Sequence, residues 1–233
     1  MKQLFHSNHV KALMFTFVSA LLFLFVTGCA TESNKSLAVQ QTQAAKSVYS
    51  GPRSTIAVGN FDNRTSFQRG IFSEGEDRLG GQAKTILITH LSQTNRFTVL
   101  DRDNMEQIRR EAQIRGETQN LIGASHIITG DVSEFGRREV TNRALFGVAG
   151  RGKQQVAYSK VNLNIVDIRT SAVVYTASGA GEYALNDQEI LGFGSTAGYD
   201  STLNGKVLDL AIREAVDRLA EAIDSGAWKP SGQ

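Results

Sequence analysis

The chain of 233 residues holds few thiol or imidazole side chains: one cysteine, Cys29, and four histidines, His6, His9, His90 and His126. A lone thiol forms no intramolecular disulfide and builds no zinc site from several thiolates. His90 falls in a helical pattern and His126 at the start of a strand, far apart and without a local carboxylate cluster, so both read as structural. Asp101, Asp103 and Glu106 superficially suggest a calcium loop, but the glycine and closing glutamate of such a loop are absent, and the acids instead favour a helix start. Gly147, Gly150 and Gly152, and again Gly192, Gly194 and Gly198, lack the strand-to-helix setting and the following Lys-Ser/Thr of a phosphate loop. No catalytic, cofactor-binding or metal constellation emerges, and the expectation is a protein that is not an enzyme and carries no cofactor.

The chemistry that does emerge belongs to Cys29. Lys2, His6, His9 and Lys11 precede an apolar run from Ala12 to Val26, too short for a membrane span of about 20 residues. The run ends Val26-Thr27-Gly28-Cys29, which resembles the bacterial lipobox. That resemblance implies acylation of the Cys29 thiol and cleavage after Gly28, making residues 1–28 a signal peptide. Residue 30 is Ala, not the Asp of an inner-membrane retention signal, which places the expected anchor at the periplasmic face of the outer membrane. Several acyl chains make such anchoring effectively permanent. Residues 29–53, rich in Ser, Thr, Gln and Ala with one apolar knot at Val48 and Tyr49, read as a flexible tether to a domain over 54–233. Removing the segment's two lysines leaves 23 basic against 23 acidic residues, and a neutral chain argues against nucleic acid as partner.

The elements are those of an α/β (α+β) domain. Thr55–Phe61 reads as a buried strand, and Asp77–Ser92 as a helix through Leu79, Ala83, Leu87 and Leu91. Arg96–Leu100 is a second strand. Asp103–Arg115 is a charged helix with Asp103 as N-cap and Met105, Ile108 and Ala112 on one face. Strands are expected at Ser125–Phe135, Val156–Ile168 and, after a turn at Arg169–Ser171, Ala172–Ala177. A final helix from Asn204 to Asp224 carries the stripe Leu208, Ala211, Ile212, Ala215, Leu219, Ala222 and Ile223. Together these make a mixed sheet flanked by helices.

Residues 135–160 and 180–204 are too long for ordinary connections and match the length of two membrane-spanning strands plus a turn. In the second, Tyr183, Leu185, Leu191, Phe193, Ala197 and Tyr199 share one parity, with Asp187–Glu189 as the turn, so these would face lipid. In the first, Val140, Ala144, Phe146 and Val148 share a face with Val156 and Tyr158, amid five basic residues. Two hairpins cannot close a barrel alone, and open edges are not tolerated in lipid, so spanning hairpins require a ring of subunits. Mobile surface excursions are the alternative.

The TIAVGNF strand, ILITHLSQTNRFTVLDRDNMEQI, ASHIITGDV, KVNLNIVDIRTSAVVYTASG and GYDSTLNGKVLDLAIREAVDRLAEAID together resemble the CsgG family of curli secretion channels and its holdfast-anchoring relative HfaB. The resemblance implies an outer-membrane lipoprotein in a homo-oligomeric ring, its two hairpins joining a shared β-barrel. An unfolded fibre or adhesin polypeptide would pass or be tethered there, with accessory periplasmic proteins as possible partners. It also implies a constriction loop, whose candidates here are Phe67, Ile71 and Phe72. VGNFDNRTS and VDIRTSAVVY also resemble LpoB, a periplasmic lipoprotein that activates a penicillin-binding protein, but that domain lacks the long hairpins.

Overall fold

The computed structural model describes residues 39–67, 77–143, 151–189 and 202–230. Five strands, β1 (Ser54–Asn63), β2 (Phe97–Leu100), β3 (His126–Arg143), β4 (Arg151–Asp167) and β5 (Val173–Glu189), form one open sheet in the order β2-β1-β3-β4-β5. β1 pairs in parallel with β2 and β3, while β3, β4 and β5 are antiparallel. The helices are α1 (Gln43–Lys46), α2 (Arg78–Gln93), α3 (Met105–Arg115) and α4 (Thr202–Asp224). This is the mixed sheet with flanking helices that the sequence pattern predicts.

α2 and α4 close one face of the sheet. Leu79, Ala83, Leu87 and Leu91 of α2 recur at helical spacing and meet Ile56, Val58 and Phe61 of β1, Ile128 and Val132 of β3, and Leu163 and Ile165 of β4 in one buried cluster. Asp77 starts α2 by accepting the Gly80 N–H at 2.8 Å, and its other oxygen accepts the Asn63 N–H at 2.6 Å, tying the helix start to the end of β1. The α4 stripe is buried as expected except for half-buried Ile223, and it adds Leu203, Val207 and Val216. α4 lies so close to β5 that a Cβ on Gly179 would stand 2.1 Å from the Ala211 carbonyl oxygen. Gly226, at φ 73°, ends the helix in the left-handed region, and the chain turns Trp228 under the sheet. There the indole stacks on Tyr175 with centroids 6.0 Å apart and meets the edge of His126 at 5.5 Å. His90, the other histidine of the body, is buried between α2 and α4 and lies 2.7 Å from Asp209. Among the described residues no helix is long and apolar enough to cross a membrane.

Two expectations are corrected. The N-cap of α3 is Asn104, which makes no side-chain cap bond; Asp101 accepts the N–H groups of Asp103 and Asn104, each at 3.1 Å, and Asp103 pairs with Lys84, whose Nζ lies 2.6 Å from its carboxylate. The expected apolar face of α3 is not a core face: no residue of the helix is buried and Ile108 is 42% exposed. β3 and β5 run unbroken from the body into the stretches 135–160 and 180–204 expected as hairpins, as far as Arg143 and Glu189. β3 also carries a bulge between Val132 and Glu134. The residues packed into the core are even-numbered before it (Ile128, Val132) and odd-numbered after it (Phe135).

Two measurements test this packing. Gly179→Val should push α4 off β5 and cost about 1–3 kcal/mol, read as a lowered Tm. Burial lowers the pKa of His126, against the opposing pull of Asp167, with Arg169 adding to the lowering. The unfolded chain therefore takes up its proton first, and stability should fall as pH drops from about 7 to about 5. Backbone N–H groups of Thr170 and Arg169 hold the Asp167 carboxyl low, so its own contribution is lost only at more acid pH, as it protonates in the folded state. His126→Gln should flatten the first slope; an unchanged slope would remove His126 as its source.

Candidate functional site

Two features stand outside the helix-covered body: a strand extension at one end and an N-terminal strap along α4. The last described contacts of α4 with the sheet on the extension side are Asn204 Oδ1, which accepts from Arg137 Nε at 2.9 Å, and Lys206 Nζ, 5.3 Å from the Tyr183 ring. Arg137, Ala157 and Tyr183 occupy one rung of the sheet. Beyond that rung β3, β4 and β5 continue through Arg143, Arg151 and Glu189, a three-stranded ribbon about 20 Å long at about 3.3 Å per residue.

The ribbon's register corrects the expected turn at Asp187–Glu189. Asp187 pairs with Lys153 and Glu189 with Arg151 in the ladder, so the strand runs on through the expected turn. Nearer the body, Arg138 Nη2 and Glu182 Oε2 lie 2.9 Å apart across β4. With the turn gone, the row that begins at Tyr183 and Leu185 runs on into Asp187 and Glu189. Val156 pairs with Arg138 and Ala184, whereas Tyr183 pairs with Ala157, so the two expected apolar rows start on opposite faces of the sheet. Across the ribbon only Val140, Val156, Ala184 and Leu185 are apolar. Both edges are open: among the described residues nothing pairs with β3 beyond Val132 on its outer side, or with the outer side of β5.

Phe67, a constriction candidate, packs its ring on Phe135 with centroids 4.6 Å apart, and its carbonyl accepts from Asn63 Nδ2 at 2.7 Å. In this structure it anchors the base of its loop against the core. Ile71, Phe72, Phe146, Val148, Leu191, Phe193, Tyr199 and Cys29 lie outside the described residues. Among the described residues no group of three metal-ligating side chains is present.

The strap was not anticipated. Residues 40–53, expected as tether, are held from Gln40 onward. Arg213 donates to Gln40 Oε1, the Asp217 carboxylate accepts the N–H groups of Gln43 at 3.0 Å and Ala44 at 2.9 Å, and Thr42 caps α1 through Ala45 N–H at 3.1 Å. At its centre is Arg96, 2% exposed. Its Nε donates to Asp224 Oδ1 at 2.8 Å, one Nη to the carbonyls of Thr94 (2.8 Å) and Ala44 (3.1 Å), and the other to Ser47 Oγ (3.0 Å) and Asp224 Oδ2. The Tyr49 ring lies 4.9 Å from the guanidinium carbon. All five donors are used, two of them by the strap. A Thr-Gln-Ala-Ala-Lys run starting at Thr42 is the one local signal, that of an N-cap.

The family model described as "Curli production assembly/transport component CsgG" matches residues 33–231. The chain is 59% identical over 222 residues to "Putative lipoprotein NMB1126/NMB1164" of Neisseria meningitidis serogroup B, covering 95% of this chain and all of that one. Among solved structures it is similar to the PelC dodecamer of Paraburkholderia phytofirmans (16% identity, TM-score 0.37, 74% of this chain and 94% of that one). It is also similar to lipoprotein GNA1162 of Neisseria meningitidis (14%, TM-score 0.34, 75% and 98%).

Arg96→Met should lose about 3 kcal/mol in chemical denaturation, the low end for breaking a buried pair because Asp224 keeps access to water. A loss below about 1 kcal/mol would show that the strap is held without it.

Proposed function

The chain belongs to the CsgG family, and from that premise we propose that it is an acylated outer-membrane lipoprotein and a noncatalytic subunit of an oligomeric assembly that exports or anchors an unfolded fibre or adhesin polypeptide. The observation that supports this reading is the open-edged ribbon. An exposed edge presents a row of unpaired N–H and C=O groups and invites another strand, and natural monomers shorten, bend or cover such edges. Here β3 and β5 keep theirs over a ribbon about 20 Å long. Copies arranged head-to-tail around a ring would satisfy both edges at once, and a rotation that closes leaves none exposed. The polar composition of the described rungs suits a stalk or lumen wall in water. The same edges leave the periplasmic, synthase-activating reading with an unused and costly feature.

Mass photometry of the detergent-extracted, full-length protein should show a ring of many copies. A monomer under every extraction condition would overturn the channel reading and return the monomeric regulator. Cys29→Ser should abolish palmitate incorporation; a labelled mutant would overturn the anchor assignment.

A further inference from the structure

Resting on the ring reading, we infer that α3 is a contact helix, whose flank docks on the β4–β5 corner of the next copy. The sheet order dictates which flanks can meet. Joining ribbons head-to-tail sets β5 of one copy against β3 of the next, but in the body the outer side of β3 is covered by β1 and β2. There the β5 flank of one copy faces the β2 flank of its neighbour. α3 belongs to that β2 flank. It follows β2 after four residues, and Asp103 just before it pairs with Lys84 of α2. Arg102 Nη2 donates to the Ile122 carbonyl at 2.6 Å, fastening the segment after the helix to the segment before it. Held at its ends, α3 has no buried residue. Eleven residues are too few for a helix to be stable in water by itself, and packing of an amphipathic face normally supplies the rest. Here the flank instead exposes Ile114, at 73%, with Leu121 and Ile122 beyond it.

The β5 flank offers the matching surface. Ile168, Val173 and Val174, where β4 turns into β5, are exposed. Single exposed apolar residues are ordinary, but these two groups share a level. One rung crosses the whole sheet from Leu100 through Ala57, Ile127 and Val166 to Val173, so the end of β2, from which α3 departs, stands level with the start of β5. Rotation about an axis along the strands preserves that level and brings one group onto the other. The charges oppose as well: α3 carries three arginines against two glutamates, while the last turn of α4, which packs on β5, holds Glu221 and Asp224 and no base. Three apolar side chains a side are too few to hold two copies unaided, so the contact sets the register of copies that the ribbon edges join.

Proximity between copies tests this in the full-length, detergent-extracted protein, where the acylated Cys29 is silent. Ile114→Cys and Val173→Cys occupy exposed positions on opposite flanks of a five-stranded sheet about 19 Å across at about 4.8 Å per strand, too far for a short bis-maleimide to bridge within one copy. With both cysteines in one chain the linker should give a ladder of covalent oligomers, and either cysteine alone at least tenfold less product. As much dimer from Ile114→Cys alone would show a two-fold contact between α3 helices and overturn the inference. So would the absence of a ladder from both this pair and the pair Ile122→Cys with Val174→Cys, in preparations that mass photometry shows to be rings. A monomer by mass photometry of the unsubstituted protein would instead remove the ring reading and this inference with it.

Discussion

A guanidinium buried at 2% exposure is tolerable only if every N–H finds an acceptor, and Arg96 meets that condition by drawing acceptors from separate parts of the chain. The Thr94 carbonyl ends α2, the Asp224 carboxylate ends α4, and the Ala44 carbonyl and Ser47 hydroxyl belong to the strap. No subset suffices, because removing any contributor leaves a charged donor unpaired in a dry site. The ion pair is thus less a source of stability than a condition on assembly. The N-terminal strap, the last turn of α4 and the start of β2 must all be in place together, which makes residues 40–49 part of the domain.

The remainder of the body follows from covering one sheet face only. α2 and α4 bury the row of Ile56, Val58, Ile128, Leu163 and Ile165, and the close contact at Gly179 brings α4 down on the antiparallel edge. The opposite face is left to Asn162, Asp131 and Ser178, which satisfy one another: Asn162 Nδ2 donates to Asp131 at 3.0 Å, and Ser178 Oγ donates to Asn162 Oδ1 at 2.9 Å. Antiparallel strands accept one wet face, which is why β3, β4 and β5 can outrun the helices and remain paired as a ribbon.

How much of this was legible in the sequence depends on how local the cause was. The α4 stripe, the α2 spacing and the first strand were readable because the period of burial repeats within each segment. α3 misled because a helical period with Met105, Ile108 and Ala112 does not say whether anything packs against it. The turn expected at Asp187–Glu189 was misplaced because acidic residues look like a turn when read alone, and like a strand only once Lys153 and Arg151 stand opposite. Phe67 looked like a free aromatic in a polar loop, and its partner Phe135 lies on a distant strand. Arg96 gave no signal at all, since its acceptors come from residues 44, 47, 94 and 224. The apolar knot at Val48 and Tyr49 was half right: Tyr49 lies against Arg96, while Val48 is 99% exposed.

The bulge after Val132 has a bearing on how such a chain can vary. It shifts the alternation of β3 by one residue inside the helix-covered body, before the ribbon begins at Arg138, so the strand faces the core through even-numbered residues before the bulge and through Phe135 after it. The two halves of a single strand are thereby uncoupled. Substitutions that lengthen, recharge or re-pattern the ribbon need not preserve the phase that keeps Ile128 and Val132 in the core, and one body can carry ribbons of different chemistry.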